Sequence, residues 1–211
     1  MKLGNVLILG DSYSTFEGYI PEGCSAYYGK ELHPDNGVSE VSRTWWQRLI
    51  DKTGSRLILN SSWSGTTICH TGYDKANYID RSFVTRLDRL IEEGFFEKNS
   101  IDTVLVFGAT NDNWAGAPIG ELMYTDWTVQ DLYSFLPACC YLFDRLREAA
   151  PAARVISILN TELKAVVVDG MLEACEHYGV QCLRLCDIEK VGGHPTAKGM
   201  EQICEQILNA I

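Results

Sequence analysis

The feature that most constrains this chain is the alternation of short apolar runs with longer segments of helical periodicity. Five runs of four or five residues, each bounded by turns or charges, suit strands that are buried on both faces of a parallel sheet. They cover residues 6–9, 57–60, 103–107, 155–159 and 182–185. Parallel strands need crossover helices between them. The alternation therefore predicts an α/β fold, a three-layer α/β/α sandwich with a central five-stranded parallel sheet.

Five segments have the periodicity of amphipathic helices. They cover residues 45–54, 83–91, about 129–146, about 166–178 and 200–211. We expect Asp80 to cap the second helix, Pro137 to kink or divide the third, and Gly179 to end the fourth. The last segment is the clearest because its apolar residues fall on one helical face: Met200, Ile203, Cys204, Ile207, Leu208 and Ile211.

The length of 211 residues suits one domain with a sizeable core. No repeat, low-complexity tract or linker divides the chain, so we predict a single domain over residues 1–211. The 28 acidic and 18 basic residues give a formal charge of −10, which disfavours nucleic acid and anionic membranes as partners. The apolar run near the N-terminus is too short for a signal peptide or a membrane span. We therefore expect a cytoplasmic protein.

The eight cysteines are expected to be buried thiols rather than a disulfide framework, because a cytoplasmic compartment is reducing. A zinc set could be imagined from Cys175, His177, Cys182 and Cys186. It is disfavoured because Cys182 and Cys186 flank a strand-like run and no C-x-x-C knuckle occurs. We expect no metal and no cofactor.

Two polar positions at opposite ends of the chain follow predicted strands. The first strand leads into a glycine turn with Asp11 and Ser12, which would present the serine hydroxyl at the carboxyl edge of the sheet. The fifth strand is followed by two glycines, His194 and Pro195. Pro195 suits a first helical turn, which would place His194 at the helix entrance. A histidine there suits the role of general base, although turns and caps also use such residues.

Two further strands lead to groups that can bind an oxyanion. The second strand leads to Gly65, in a small polar loop where a backbone N–H could face a ligand. The third strand leads to Asn111, whose side-chain amide could donate to an oxyanion, the interaction that usually dominates acyl-transfer catalysis. Active sites of such sheets collect at the carboxyl ends of the strands. We therefore expect these groups to lie close to Ser12 and His194.

In order and in context, these residues resemble the sequence blocks of the SGNH/GDSL hydrolase family over nearly the whole chain. The four similar blocks are Gly10-Asp11-Ser12, Gly65, Asn111-Asp112 and His194. The resemblance implies the flavodoxin-like SGNH hydrolase fold and an esterase in which Ser12 attacks the ester carbonyl and His194 transfers its proton. It also implies an oxyanion hole made by the N–H groups of Ser12 and Gly65 and the amide of Asn111.

The chain departs from the family pattern at two positions. The family usually has glycine two residues before the asparagine, and this chain has Ala109. The acid of the triad normally lies three residues before the histidine, and that position is Val191. Three alternatives remain open. In the first, a backbone carbonyl near Val191 orients His194. In the second, Glu189 or Asp187 reaches His194 through the glycine turn. In the third, the site is weakened or inactive, because loss of an orienting acid can lower the rate by several orders of magnitude.

Residues 17–42 show no long apolar pattern and contain recurrent glycine and proline. A stretch of this kind is usually functional or disordered. Because it follows Ser12, we predict a loop insertion that covers the active site; an ordered surface loop packed on its own aromatics is the alternative. Four of its side chains could contact a substrate: Tyr19, Tyr27, Tyr28 and His33. Position in the fold also places Trp114, Tyr73 and His70 as candidate substrate-binding residues.

Aromatic, amide and hydroxyl groups suit a small acyl group on a carbohydrate or another small alcohol better than a long acyl chain. The expected partner is thus a small-molecule ester, and the sequence specifies neither the physiological ester nor an oligomeric state. Two alternatives use the same fold: a binding module that has lost efficient hydrolysis, suggested by Val191, and an acyltransferase. A nucleotide binder is disfavoured because no G-x-x-x-x-G-K-[ST] or G-x-G-x-x-G loop occurs.

Overall fold

The computed structural model of the protein describes residues 2–211. At its centre lies a five-stranded sheet of order β2-β1-β3-β4-β5, in which every neighbouring pair is parallel. Its strands are β1 Asn5–Gly10, β2 Arg56–Ser62, β3 Thr103–Gly108, β4 Arg154–Leu159 and β5 Gln181–Arg184. All five predicted strands are confirmed, with each end within two residues of the expected position.

Seven α-helices occur within residues 2–211: α1 Trp45–Thr53, α2 Phe83–Glu92, α3 Phe95–Lys98, α4 Thr110–Ala115, α5 Phe135–Ala149, α6 Ala165–Tyr178 and α7 Ala197–Ala210. Helices α1 and α7 pack together on one face of the sheet, and α2, α5 and α6 cover the other. A short antiparallel hairpin, β6 Lys190–Val191 and β7 His194–Pro195, stands apart from the main sheet. The predicted three-layer α/β/α sandwich is confirmed.

The interior strand β1 is packed on both of its faces. Leu7 and Leu9 belong to the core under α2, α5 and α6, whereas Val6 and Ile8 belong to the core under α1 and α7. All four side chains are completely buried. Full burial of an aliphatic side chain of this size contributes about 1.5–3 kcal/mol. Packing on both faces therefore fixes the carboxyl end of β1, from which the first loop of the site departs.

Two local expectations about the helices are wrong. The N-cap of α2 is Ser82, whose hydroxyl accepts a backbone N–H of the first turn at 3.3 Å, whereas Asp80 pairs with Arg81. Pro137 does not kink the third helix. The helix begins only two residues before it, so the proline occupies the first turn, where its missing N–H would have no intrahelical partner.

All eight cysteines are free thiols, and five of them are buried: Cys69, Cys139, Cys140, Cys175 and Cys204. Cys24 and Cys182 are half-buried. Cys186 is exposed, so the expectation of burial is wrong at that position. Within residues 2–211, no helix has the length and apolar character needed to cross a membrane.

Candidate active site

Ser12 lies at the carboxyl edge of the sheet, immediately after β1. The strand ends at Gly10, where a Cβ would come within 2.4 Å of a serine hydroxyl on β2, so the close approach of the two chains requires glycine. Asp11 caps the following 3-10 turn because its Oδ1 accepts the N–H of Tyr13 at 3.0 Å. The turn holds Ser12 in a nearly closed position with 3% of its surface exposed.

His194 lies in the hairpin β6–β7, whose two-residue strands are too short to show a hydrophobic pattern. Val191 pairs with His194, and the connecting Gly192 and Gly193 have φ of 57° and 78°. Two positive φ values are what a type I′ hairpin turn requires, and glycine adopts them without strain. The expectation that Pro195 starts the last helix is wrong, because Pro195 belongs to β7 and α7 begins two residues later.

Both ring nitrogens of His194 have hydrogen-bond partners. Nε2 lies 2.9 Å from Oγ of Ser12, and Nδ1 lies 3.2 Å from the carbonyl oxygen of Gly192. Since a carbonyl only accepts, Nδ1 carries the proton and Nε2 is the nitrogen that can accept the serine proton. Burial lowers the pKa of His194 below its usual value, although the Gly192 carbonyl acts in the opposite direction. The imidazole is therefore a neutral base at neutral pH.

Neither carboxylate considered as a third member contacts His194 among residues 2–211. Glu189 instead accepts a hydrogen bond from the hydroxyl of Thr196 at 2.6 Å and lies at the protein surface. Asp187 is exposed and makes no hydrogen bond to His194. The expectation of a rerouted Glu189 or Asp187 is wrong for this geometry. The carbonyl of Gly192 occupies the place of the acid, which is the first of the three alternatives.

Three hydrogen-bond donors follow β1, β2 and β3 at this edge of the sheet. Within the described part of the chain, neither the N–H of Ser12 nor the N–H of Gly65 donates to a protein acceptor. The third donor is Nδ2 of Asn111, which gives one of its two hydrogens to the carbonyl of Thr66 at 2.9 Å. Donors of this kind can stabilise a developing oxyanion.

Tyr73 fixes the orientation of the Asn111 amide. Its hydroxyl donates to Oδ1 of Asn111 at 2.7 Å, while Nδ2 faces the Thr66 carbonyl. These two contacts together settle which end of the amide donates. Burial raises the pKa of Tyr73 to about 12, so the hydroxyl keeps its proton at neutral pH. Tyr73 thus orients the Asn111 amide. The two residues are 38 positions apart, so their spacing in the sequence does not reveal the contact.

The backbone conformation of Ala109 shows why the SGNH/GDSL pattern usually has glycine at this position. Its φ is 70°, in the left-handed region that favours glycine, and it lies just before α4. For an L-residue this conformation is less favourable by about 1–2 kcal/mol. The Ala109 carbonyl accepts the N–H of Asn113 at 3.0 Å, so the strained turn begins the helix that carries Asn111.

Two carboxyl groups are buried under the loops of the site. Asp112 accepts the N–H groups of Ile68 and Cys69 at 2.9 and 3.1 Å, and burial raises its pKa to about 6. Oδ2 of Asp11 is buried without a partner among the described residues, and burial raises the pKa of Asp11 to about 7. Over residues 2–211, no three His, Cys, Asp or Glu side chains are grouped so as to hold a metal ion.

Arg86 is a buried cation that the sequence analysis missed. It donates to the carbonyl of Gly10 at 3.0 Å, to the hydroxyl of Thr66 at 3.3 Å and to a carbonyl at the end of β2. It therefore ties the loop of Ser12 to the loop of Gly65, and burial lowers its pKa to about 10. Its position three residues after Phe83 and four before Leu90 puts a charge on the apolar face of α2. That pattern could have identified it.

Besides Tyr73, two residues were expected to bind substrate, Trp114 and His70, and they have different surroundings. Trp114 is 39% exposed, and its ring lies edge-on to that of His194 with centroids 5.8 Å apart. His70 is 3% exposed, and its Nδ1 lies 3.0 Å from the hydroxyl of Ser82 at the start of α2. Burial lowers the pKa of His70 to about 4. His70 is therefore a buried, neutral side chain whose observed partner is Ser82.

The segment 17–42 lies directly against the hairpin that carries His194. The ring of Tyr27 stacks on that of His194 with centroids 3.6 Å apart and planes 8° apart. His33 stacks in turn on Tyr27 at 3.9 Å and 5°. The buried Tyr28 donates its hydroxyl proton to a carbonyl of β7 at 2.8 Å. The segment therefore contacts the site chiefly through His194.

The chain is similar to several solved structures over its whole length. A GDSL-like lipase from Bacteroides ovatus ATCC 8483 superimposes with a TM-score of 0.92 at 44% identity, covering 100% of this chain and 98% of that chain. A GDSL-like lipase from Bacteroides uniformis ATCC 8492 gives 0.92 at 48% identity, with coverage of 99% and 95%. A family two carbohydrate esterase from Clostridium thermocellum gives 0.65 at 18% identity, with coverage of 100% and 64%, which shows the fold alone. A search of curated protein sequences gave no match.

The sheet order and the polar groups at its carboxyl edge define an esterase built on an α/β/α sandwich. The profile of the GDSL-like Lipase/Acylhydrolase family matches residues 4–211. Together with the two Bacteroides structures, this match shows that the chain belongs to the GDSL-like lipase/acylhydrolase family.

Proposed function

We propose that the protein hydrolyses small carboxylic esters through an acyl-serine intermediate, with Ser12 as nucleophile and His194 as base. The observation that carries the proposal is the 2.9 Å contact between Oγ of Ser12 and Nε2 of His194, in the tautomer that accepts a proton. A nucleophile within hydrogen-bond reach of an oriented base is the arrangement that activates serine. The N–H groups of Ser12 and Gly65 and the amide of Asn111 form the proposed oxyanion hole.

In the first half of the reaction, Oγ of Ser12 bonds to the ester carbonyl carbon and its proton moves to Nε2 of His194. The carbonyl oxygen becomes an oxyanion held by the three donors. When this intermediate collapses, the ester C–O bond breaks and Nε2 returns the proton to the leaving alcohol. Water then attacks the acyl-serine, giving one proton to Nε2. Collapse releases the carboxylic acid, and that proton restores the Ser12 hydroxyl.

The Gly192 carbonyl takes the orienting role of an acid in this proposal. A carbonyl fixes the tautomer of His194 as a carboxylate does, because both accept from Nδ1. It carries a partial charge rather than a full one, so it stabilises the protonated imidazole less strongly. The two positive-φ glycines make the turn that brings this carbonyl to Nδ1. We therefore infer a Ser-His dyad completed by a backbone group.

The proposed substrate is a short acyl ester of a carbohydrate or another small alcohol. Ser12 is 3% exposed, which leaves little room for a long acyl chain to approach it. The exposed ring of Trp114 beside His194 offers an apolar face of the kind that sugar rings use. The carbohydrate esterase from Clostridium thermocellum has the same fold, which makes a sugar ester a reasonable choice.

The test is hydrolysis of a series of nitrophenyl esters from acetate to octanoate by the wild type and by Ser12→Ala. We expect kcat/KM to be highest for the short esters and to fall at least about a thousandfold in Ser12→Ala. Ser100→Ala, an exposed serine that precedes β3 at the opposite edge of the sheet, is the matched control and should retain full activity.

Each other outcome has a distinct meaning. Preference for octanoate over acetate would contradict the short-acyl substrate while leaving the esterase intact. Absence of fluorophosphonate labelling at Ser12 in the folded protein would favour the binding module instead. Turnover that appears only after a sugar acceptor is added would indicate an acyltransferase, since water and an alcohol attack the same acyl-serine.

A further inference from the structure

The imidazole of His194 lacks a carboxylate partner but has an aromatic ring on its face. The ring of Tyr27 covers it at 3.6 Å with planes 8° apart, and His33 covers the opposite face of Tyr27. Tyr13 and Trp114 meet the imidazole at an angle, with centroids 5.4 and 5.8 Å away. Of these rings, only Tyr27 lies parallel to the imidazole and close enough to fix its plane.

Tyr27 is tied to the nucleophile loop by a chain of hydrogen bonds. Its backbone N–H donates to the hydroxyl of Thr15 at 2.9 Å, and that hydroxyl donates to the carbonyl of Ser12 at 2.9 Å. In the same segment, the amide of Asn36 donates to the carbonyl of His194 at 3.3 Å. The segment 17–42 therefore positions the ring of Tyr27 relative to both Ser12 and His194.

We propose that Tyr27 is a positioning residue for the Ser12–His194 reaction, whose ring face fixes the plane of the imidazole and stabilises its protonated form. This inference rests on the proposed function of the same site. It assigns to Tyr27 part of the work that a carboxylate performs in a triad: orientation through contact, and attraction for the positive charge through the π face.

The charged groups around His194 and its burial disfavour the protonated imidazole, so a contact that stabilises this form would matter for the reaction. Lys190 on β6 and His33 on the segment 17–42 both oppose a positive charge on His194, and burial acts in the same direction. Lys190 is itself paired with Glu162 at 3.0 Å, and the hydrogen-bond partners of the imidazole are the hydroxyl of Ser12 and the carbonyl of Gly192. Gly192 and the face of Tyr27 are the groups that favour the imidazolium.

The test compares Tyr27→Leu with Tyr27→Phe on a short nitrophenyl ester. Leucine keeps apolar cover over the imidazole but has no π face, whereas phenylalanine keeps the ring and loses only the hydroxyl. The matched control is Tyr124→Leu, because Tyr124 also stacks on a histidine, with centroids 3.8 Å apart, but that histidine is His177 near the end of α6 and not part of the site. Thermal unfolding of each variant identifies any general loosening of the segment.

We expect Tyr27→Leu to lower kcat about 3- to 30-fold with KM little changed, the range that loss of a cation–π contact allows. The pKa on the acid limb of the kcat/KM profile should fall by up to about one unit, because the protonated imidazole loses stabilisation while burial is retained. Tyr27→Phe should restore both quantities, and Tyr124→Leu should change neither.

Equal kcat and equal pH profiles in Tyr27→Leu, Tyr27→Phe and Tyr124→Leu would overturn the inference. A rise in KM alone would also overturn it, since that result assigns Tyr27 to substrate contact. Ser12→Ala separates this failure from failure of the proposed function. If Ser12→Ala still hydrolyses the ester, the proposed role of Ser12 is wrong. If Ser12→Ala is inactive, the proposed function stands and the Tyr27 variants test the role of the ring.

Discussion

Asp11 is a buried carboxyl group next to Ser12, and its removal should change how stability depends on pH. Replacement by asparagine keeps an Oδ1 acceptor for the N–H of Tyr13, which forms the cap of the Ser12 turn. It removes the group whose ionisation the interior disfavours. We therefore predict that Asp11→Asn flattens the fall in stability that the wild type shows as the pH rises.

The size of the effect follows from the pKa. Burial raises the pKa of Asp11 from 3.8 to about 7; the charge of Asp112 adds to the rise and that of Arg86 opposes it. Because the folded state holds the proton more tightly than the unfolded state, this contribution to stability is complete below pH 3.8 and is lost as the pH rises through about 7. The shift corresponds to about 4 kcal/mol.

Urea unfolding followed by tryptophan fluorescence between about pH 4 and pH 8 measures this dependence as a free energy of unfolding. The wild type should lose more stability over that range than Asp11→Asn, by about 4 kcal/mol. Some dependence remains in the variant, because burial also raises the pKa of Asp112. Asp51→Asn, an exposed carboxylate on α1, is the matched control. Equal pH dependence in Asp11→Asn and the wild type would refute the reasoning.

Two further substitutions test contacts of the site. Tyr73→Phe removes the hydroxyl that orients Asn111, and we expect kcat to fall about 3- to 10-fold with KM unchanged, as steady-state kinetics on a short ester would measure. An unchanged kcat would contradict the orienting role. Gly199→Ala would place a Cβ 2.1 Å from the backbone carbonyl of Glu189, which pushes α7 from the hairpin of His194. We expect a loss of about 1–3 kcal/mol in urea unfolding despite the better helix propensity of alanine, and undiminished stability would contradict this packing.

The sheet and most helices could be predicted because their patterns are long enough to show a period. The apolar runs around β1 to β5 are buried on both faces, and α7 has a complete apolar face. The hairpin of His194 could not be recognised in this way, since its strands have two residues each. Its Gly192-Gly193 turn was the available signal, because paired glycines are typical of two-residue hairpin loops.

The placement of Ser12, Gly65, Asn111 and His194 follows from the rule that loops after parallel strands meet at one edge. The sequence left the partner of Nδ1 open between a backbone carbonyl, Glu189 and Asp187, because a backbone carbonyl leaves no mark in the residue types. The same holds for contacts made across the fold, such as the ring of Tyr27 on the imidazole.

The contact between Ser12 and His194 joins residues 182 positions apart in the chain. During synthesis, Ser12 therefore emerges long before His194. The strands between them must have formed the sheet before the two side chains can come into contact. Contacts of such separation close late and slowly during folding. In the proposed mechanism, partly synthesised or misfolded copies should consequently not react with esters, and reactivity of Ser12 would report the molecules that have finished folding.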